Sequence, residues 1–266
     1  MPPTWSPSVG SRERRGTHES GSAASRSTGS LRTGVHRRSA RDAHAAPSAL
    51  ADDDFGMKLA PRELDDITAR TLEHYGQRAD EFWDGTRGHD VSQNIDALLR
   101  HIEAPAPCAI LDFGCGPGRD LKALAERGHS PVGLEGVARF AAMARDHSGC
   151  EVWQQDFLKL DLPAGRFDGV FANAALFHVP TQELPRVLGE LHATLKPGGV
   201  LFSSNPRGRD EEGWNRGRYG AYFSLATWRR MLCGAGFAEL EHYYRPAGLP
   251  RDQQPWLATV WRKPAA

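Results

Sequence analysis

Residues 110–121 read Ile-Leu-Asp-Phe-Gly-Cys-Gly-Pro-Gly-Arg-Asp-Leu. An apolar run ends in Gly114, Gly116 and Gly118 at alternate positions, and a helical pattern opens behind them. Glycine admits positive φ and lets a ligand come close to the main chain. A strand, a tight turn and a helix start together make a seat for a nucleotide-type cofactor. Two acids indicate which kind. Asp112 stands two residues before the first glycine, where a pyrophosphate would be repelled and a free ammonium group would be welcome. Glu135 follows roughly twenty residues later at the end of the next apolar run, where a carboxylate accepts hydrogen bonds from two ribose hydroxyls. The dinucleotide spacing G-x-G-x-x-G asks for glycine at the sixth position, and here that residue is Arg119. Taken singly, Asp112 also reads as a strand-end cap and Glu135 as a solvated acid at a helix start.

The elements around this loop alternate. Strands are expected at 108–113, 131–134, 151–154, 167–172 and 200–204, with helices at 119–127, 137–147, 183–195 and 225–235. Two further strands are expected at 239–244 and 257–262. Such alternation gives an α/β fold, a largely parallel sheet with helices on both faces. Ligands in such sheets sit at the C-terminal ends of the strands, where strand order reverses. Ahead of the sheet, Leu64, Ile67, Leu72 and Tyr75 fall near helical spacing. A polar, aromatic loop is expected over 82–94, with Ser92 capping a helix that runs to Ile102.

Whole-chain composition narrows the class. The chain has 266 residues, 25% of them charged, and its formal net charge is zero. The first 50 residues hold eight arginines against three acids, which leaves the body mildly acidic and tight nucleic-acid binding disfavoured. Residues 1–56 are low in complexity and are expected to be disordered, either as a tail, a targeting segment or sequence ahead of a true start at Met57. Cys108, Cys115, Cys150 and Cys233 lack C-x-x-C spacing, so free thiols in the cytoplasm are expected and no metal site. No apolar run approaches the roughly 20 residues a membrane span needs.

The motif at 110–118 resembles the first motif of the class I S-adenosylmethionine (SAM)-dependent methyltransferases, in particular the small bacterial-type domains. The similarity covers most of 75–262. It implies a Rossmann-like, seven-stranded, mostly parallel sheet with the last strand antiparallel, in a domain spanning 57–266. Within that domain, 57–104 would supply lid helices and 205–223 a substrate-side insertion. By this resemblance Asp112, Gly114 and Gly116 line the methionine part of SAM, Gly118 is cofactor-binding in the same loop, and Glu135 holds the ribose. Asp156 and Phe157, in Gln-Asp-Phe, match the motif that takes the adenine. The stretch Phe167-Asp-Gly-Val-Phe resembles the fourth strand, and Leu195-Lys-Pro-Gly-Gly-Val the turn before the fifth.

Methyl transfer from a sulfonium asks the enzyme mainly to position and desolvate an acceptor, here expected to be a small molecule with an O, N or S nucleophile. A base is needed only when the acceptor must lose a proton early. Asn173 and His178 follow the fourth strand as catalytic candidates, His178 being either a base near the methyl group or a structural histidine. Tyr75, Arg87 and His89 in the N-terminal segment are candidates to face the acceptor, and Arg87 can pair with a carboxylate on SAM or on the acceptor. Asn205, Arg218, Tyr219 and Tyr222 in the long insertion can shape a polar pocket for an anionic or hydrogen-bonding acceptor, unless the insertion is a mobile surface loop. A protein or RNA acceptor, or a non-catalytic SAM-binding role, are the alternatives.

Overall fold

In the computed structural model, residues 58–265 are described. The expectations for 1–56 lie outside them. The sheet has seven strands in the order β3-β2-β1-β4-β5-β9-β8. These are β1 Ala109–Phe113, β2 Ser130–Glu135, β3 Val152–Gln154, β4 Phe167–Asn173, β5 Leu195–Pro206, β8 Ala238–Arg245 and β9 Trp256–Arg262. Strands β1 to β5 run parallel, and β9 lies antiparallel between β5 and β8. Order reverses between β1 and β4, which puts the switch point beside the glycine loop.

Strands covered on both faces read as near-continuous apolar runs, and β1 shows why. Leu111 and Phe113 enter one core with Val170 and Leu201, together with Leu188 and Leu191 of α6 (Leu184–Thr194) and Trp228 of α7 (Leu225–Gly234). Ile110 enters the opposite core with Phe171 and Phe202, Ile95 and Leu98 of α3 (Ser92–Leu99), and Leu124 of α4 (Arg119–Glu126). Side chains alternate faces along a strand, so Asp112 falls on the second of these sides, at the strand's C-terminal end. Helix α5 (Ala138–Ser148) packs on α4 through Ala141 and Ala144.

That packing explains Gly118. A Cβ there would meet the Ala144 backbone Cα at 2.7 Å, and its φ is +92°. Gly118 therefore lets α4 start against α5, the close approach that a dinucleotide fold obtains from a glycine one position later. Gly118→Ala is expected to destabilise the fold by about 2 kcal/mol or more, since left-handed strain alone costs 1–2 kcal/mol and the backbone contact adds to it. A fall of several degrees in Tm would check this.

Three expectations are corrected. The segment 82–94 is not all loop: α2 (Ala79–Thr86) follows α1 (Pro61–Gln77) almost at once. Its eight residues hold adjacent Phe82 and Trp83 with no repeating apolar period, but Asp80 and Glu81 in the first turn suit the helix dipole. Ser92 is the first residue of α3 rather than its cap; its N–H donates to Asp90 Oδ1 at 2.9 Å. The insertion is a hairpin of β6 (Glu211–Asn215) and β7 (Arg218–Tyr222), closed by Arg216 and Gly217 with φ of +50° and +86°. Two positive φ values in a two-residue turn match strand twist, a fit usually signalled by Asn-Gly.

No helix among the described residues is long and apolar enough to cross a membrane. None of the cysteines is paired, and no cluster of His, Cys, Asp and Glu among those residues is arranged to hold a metal ion.

Candidate functional site

The glycine loop folds back onto the end of β2. Gly114 and Cys115 donate their N–H groups to Leu134 O at 2.8 and 3.1 Å. Gly116 N donates to Glu135 Oε2 at 2.9 Å, and Val137 N to Oε1 at 2.8 Å. Glu135 thus clamps the loop to the start of α5. Each of its oxygens can accept a second bond. Burial raises its pKa to about 7, although the N–H groups of Val137, Gly116 and Gly136 pull it down.

Asp112 is buried behind the loop, and its Oδ2 has no hydrogen-bond partner among the described residues. Burial holds its pKa well above the usual carboxylate range, and the neighbouring Asp120 and Glu135 carboxylates push it further. A buried acid without a partner is expensive and calls for an explanation. Three carboxylates gather here, and one is neutralised: Arg119 Nε and Nη2 clasp Asp120 at 2.6 and 3.0 Å. The region therefore favours a cation.

Asn173 is tied at both ends. Its Nδ2 donates to Asp120 Oδ2 at 2.8 Å, and its Oδ1 accepts from Asn94 Nδ2 at 3.0 Å. Tyr243 donates its hydroxyl to Asn94 Oδ1 at 2.9 Å, extending the chain to the sheet edge. Sequence reading missed Asp120 and Asn94. Asp120 stands two residues past the last loop glycine, in the first turn of α4, where an acid invites a dipole explanation and hides a network role.

His178 ends a 3₁₀ turn, Leu176–His178, just past β4. Its Nδ1 lies 2.7 Å from Tyr219 O, and its Nε2 lies 2.9 Å from the Tyr75 hydroxyl. A carbonyl can only accept, so Nδ1 carries the proton and Nε2 accepts from Tyr75. Burial lowers the His178 pKa to about 4, and Arg218 lowers it too. The imidazole is neutral and both nitrogens are engaged. Tyr75→Phe leaves a buried acceptor without its donor and is expected to cost about 1–3 kcal/mol, read by denaturant unfolding.

Tyr75 packs edge-on against Phe82 at 5.5 Å, and Phe82 lies 5.1 Å from Phe140. This aromatic group sits over the loop: a Cβ on Gly116 would meet Phe82 Cε1 at 3.8 Å. The hairpin joins from the other side, with Tyr219 N donating to Thr71 Oγ1 at 3.1 Å. Glu212 Oε2 accepts from Thr181 N at 2.8 Å, and Arg70 lies over Trp214 at 4.0 Å. The Arg218 guanidinium lies 5.6 Å from the Tyr75 ring.

Of the remaining candidates, Phe157 lies against the loop. Phe157 stacks on Phe113 at 4.3 Å, and its Cζ would lie 3.1 Å from a Cβ on Gly114. Asp156 caps the turn after β3, Oδ1 accepting from Leu158 N at 2.8 Å. Arg87 and His89 are exposed and line a cleft of about 330 Å³ with Arg119 and Arg127. Tyr222 lies 6.1 Å from Phe177, ring to ring. Asn205 is buried on β5 with an unpartnered Oδ1.

The profile of a family described as "Methyltransferase domain" matches residues 110–199. Trans-aconitate 2-methyltransferase of Azoarcus sp. (strain BH72) is 34% identical over 116 residues, 43% of this chain and 45% of that protein. An uncharacterized methyltransferase of Geobacillus thermodenitrificans (strain NG80-2) is 27% identical over 157 residues, 58% of this chain and 72% of that protein. The chain thus spans less than half the length of the first of these relatives. Among solved structures, the 1,6-didemethyltoxoflavin-N1-methyltransferase of Burkholderia thailandensis, with S-adenosylhomocysteine (SAH) bound, superposes with a TM-score of 0.63. It is 23% identical, over 79% of this chain and 92% of that one, and at that identity the likeness carries the fold.

Proposed function

We propose that this chain is a class I SAM-dependent methyltransferase that transfers the methyl group of SAM to an O, N or S nucleophile on a small molecule. The observation that carries the reading is Asp112: a buried carboxylate oxygen without a partner, in a field of acids, at the mouth of a glycine loop. Those residues fit a cofactor that bears an ammonium and a sulfonium. SAM supplies a methyl group already activated by the positive sulfur.

The chain's own residues bind and orient. Asp112 takes the ammonium, Glu135 the ribose hydroxyls, and Phe157 lies along the adenine. Gly114 and Gly116 shape the loop, while Gly118 is assigned to packing. Tyr75 and Phe82 of the segment 57–104 pack on Phe140 of α5 and, with the hairpin in 205–223, exclude water from above as a lid. Excluding water strengthens the electrostatic interactions beneath them. His178 holds the hairpin and the lid in register through Tyr219 and Tyr75, and Asn173 braces Asp120; neither carries a free base. The relatives' names, trans-aconitate and 1,6-didemethyltoxoflavin, both favour a small-molecule acceptor and differ in its chemistry.

Calorimetric titration of SAM into the full chain, with NAD as control, tests the reading. Micromolar SAM binding without NAD binding is expected. A folded protein that binds neither would overturn it.

A further inference from the structure

Arg218 begins β7, half-buried, under the lid and next to the histidine. Its Nε is buried and has no hydrogen-bond partner; the guanidinium donates to the Tyr75 hydroxyl, an uncharged acceptor, and no carboxylate among the described residues pairs with it. Two arginines that border the loop and the hairpin are paired: Arg119 holds Asp120, and Arg70 pairs with Asp66 at 3.3 Å. The charge of Arg218 reaches the buried centre of the group, where it depresses the pKa of His178 and of His74 and opposes the burial that raises Tyr75. All three neighbours are neutral or cationic side chains. A guanidinium costs solvation when a lid covers it, and the cost is recovered only by an anion that meets its planar fork.

We propose that Arg218 is the specificity-determining residue for the acceptor and that the acceptor carries a carboxylate, which is also the atom group methylated. This rests on the methyltransferase reading above. Two independent observations agree. The cation lacks a counter-charge among the described residues. The buried histidine beside it has both ring nitrogens engaged, so the site suits an acceptor that arrives already deprotonated. A carboxylate is ionised at neutral pH. One of its oxygens forms the new bond to the methyl carbon as the carbon–sulfur bond breaks. The electron pair stays on sulfur, and the products are a neutral methyl ester and the neutral thioether SAH. No proton is released, so no base is required. The other carboxylate oxygen remains available to Arg218.

The test is equilibrium binding to the full chain saturated with SAH. The probes are aliphatic and aromatic mono- and dicarboxylates, each paired with its neutral amide. At least one carboxylate is expected to bind saturably where its amide does not. Arg218→Met should weaken that binding at least tenfold, Arg218→Lys should restore part of it, and Arg100→Gln on the far surface should change nothing. Melting curves with SAH verify that each variant is folded, and the Lys variant keeps the question open to measurement if the Met variant is not. With SAM in place of SAH, an alkali-labile methyl ester is the expected product. Failure of every carboxylate while SAH binds normally would overturn the proposal and leave the methyltransferase reading intact. An equal loss of SAH affinity in Arg218→Met would assign the guanidinium to the cofactor's own carboxylate and overturn it as well. Failure of SAH to bind the folded protein would sink both.

Discussion

Asp112→Asn lowers the affinity for SAM by roughly a hundredfold or more and leaves the unliganded protein folded. The carboxylate is buried, its Oδ2 lacks a partner, and Asp120 and Glu135 press on it with like charge. In the free protein this group is a burden: ionised it is desolvated and repelled, and protonated it offers a cation less. An ammonium beside it changes the balance. Removing one member of a buried charge pair costs about 2–5 kcal/mol, and each 1.4 kcal/mol is a decade in affinity. Asparagine keeps the shape and takes away the charge, so the free protein loses repulsion and its Tm holds or rises. Affinity and stability moving in opposite directions separates a ligand-binding role from a packing one. Calorimetry and a thermal melt on the same sample measure both, and unchanged SAM affinity in the variant would refute the assignment.

The glycine loop and the alternation of strands and helices were legible because each follows from strong local rules, while the count of seven strands came from the family resemblance. Buried parallel strands make short apolar runs between glycines, and β1 to β5 are found where those runs lie. The hairpin was harder. Its first strand, Glu-Glu-Gly-Trp-Asn, has two acids and a glycine; Thr181 and Arg70 hold that strand and Thr71 holds the second, through tertiary contacts that no local pattern announces. Helix α2 was hidden for a similar reason, since its aromatic residues are placed by Tyr75 and Phe140 rather than by their own periodicity. His178 and Asn173 show a further limit. Sequence position put them at the mouth of the crevice, but whether a polar side chain is free depends on partners 41 to 103 residues away for the histidine. Composition identifies a group that can act as a base; only geometry shows that its lone pair is already in use.

SAM affinity should fall as pH drops below about 7. Glu135 sits at the root of this dependence: burial raises its pKa from 4.5 to about 7 even with three backbone N–H groups opposing the shift. Between these two values the folded, unliganded protein holds a proton that the unfolded chain has released. Its contribution to stability is present below pH 4.5 and is lost as pH rises through 7. Ligand binding works the other way, because ribose hydroxyls donating to the carboxylate and a cation nearby both favour the ionised form. If SAM binds the ionised form alone, affinity at pH 5 is roughly a hundredfold weaker than at pH 8, a tenfold loss for each unit below the pKa. Asp112, whose pKa is also raised, steepens the slope in the same sense. Titrations in buffers of different ionisation heat count the protons released on binding near pH 6, and Glu135→Gln should release one fewer. A dissociation constant that stays level from pH 5 to 8 would mean that Glu135 serves only the loop, through Gly116 and Val137, and that the ribose is held by other groups.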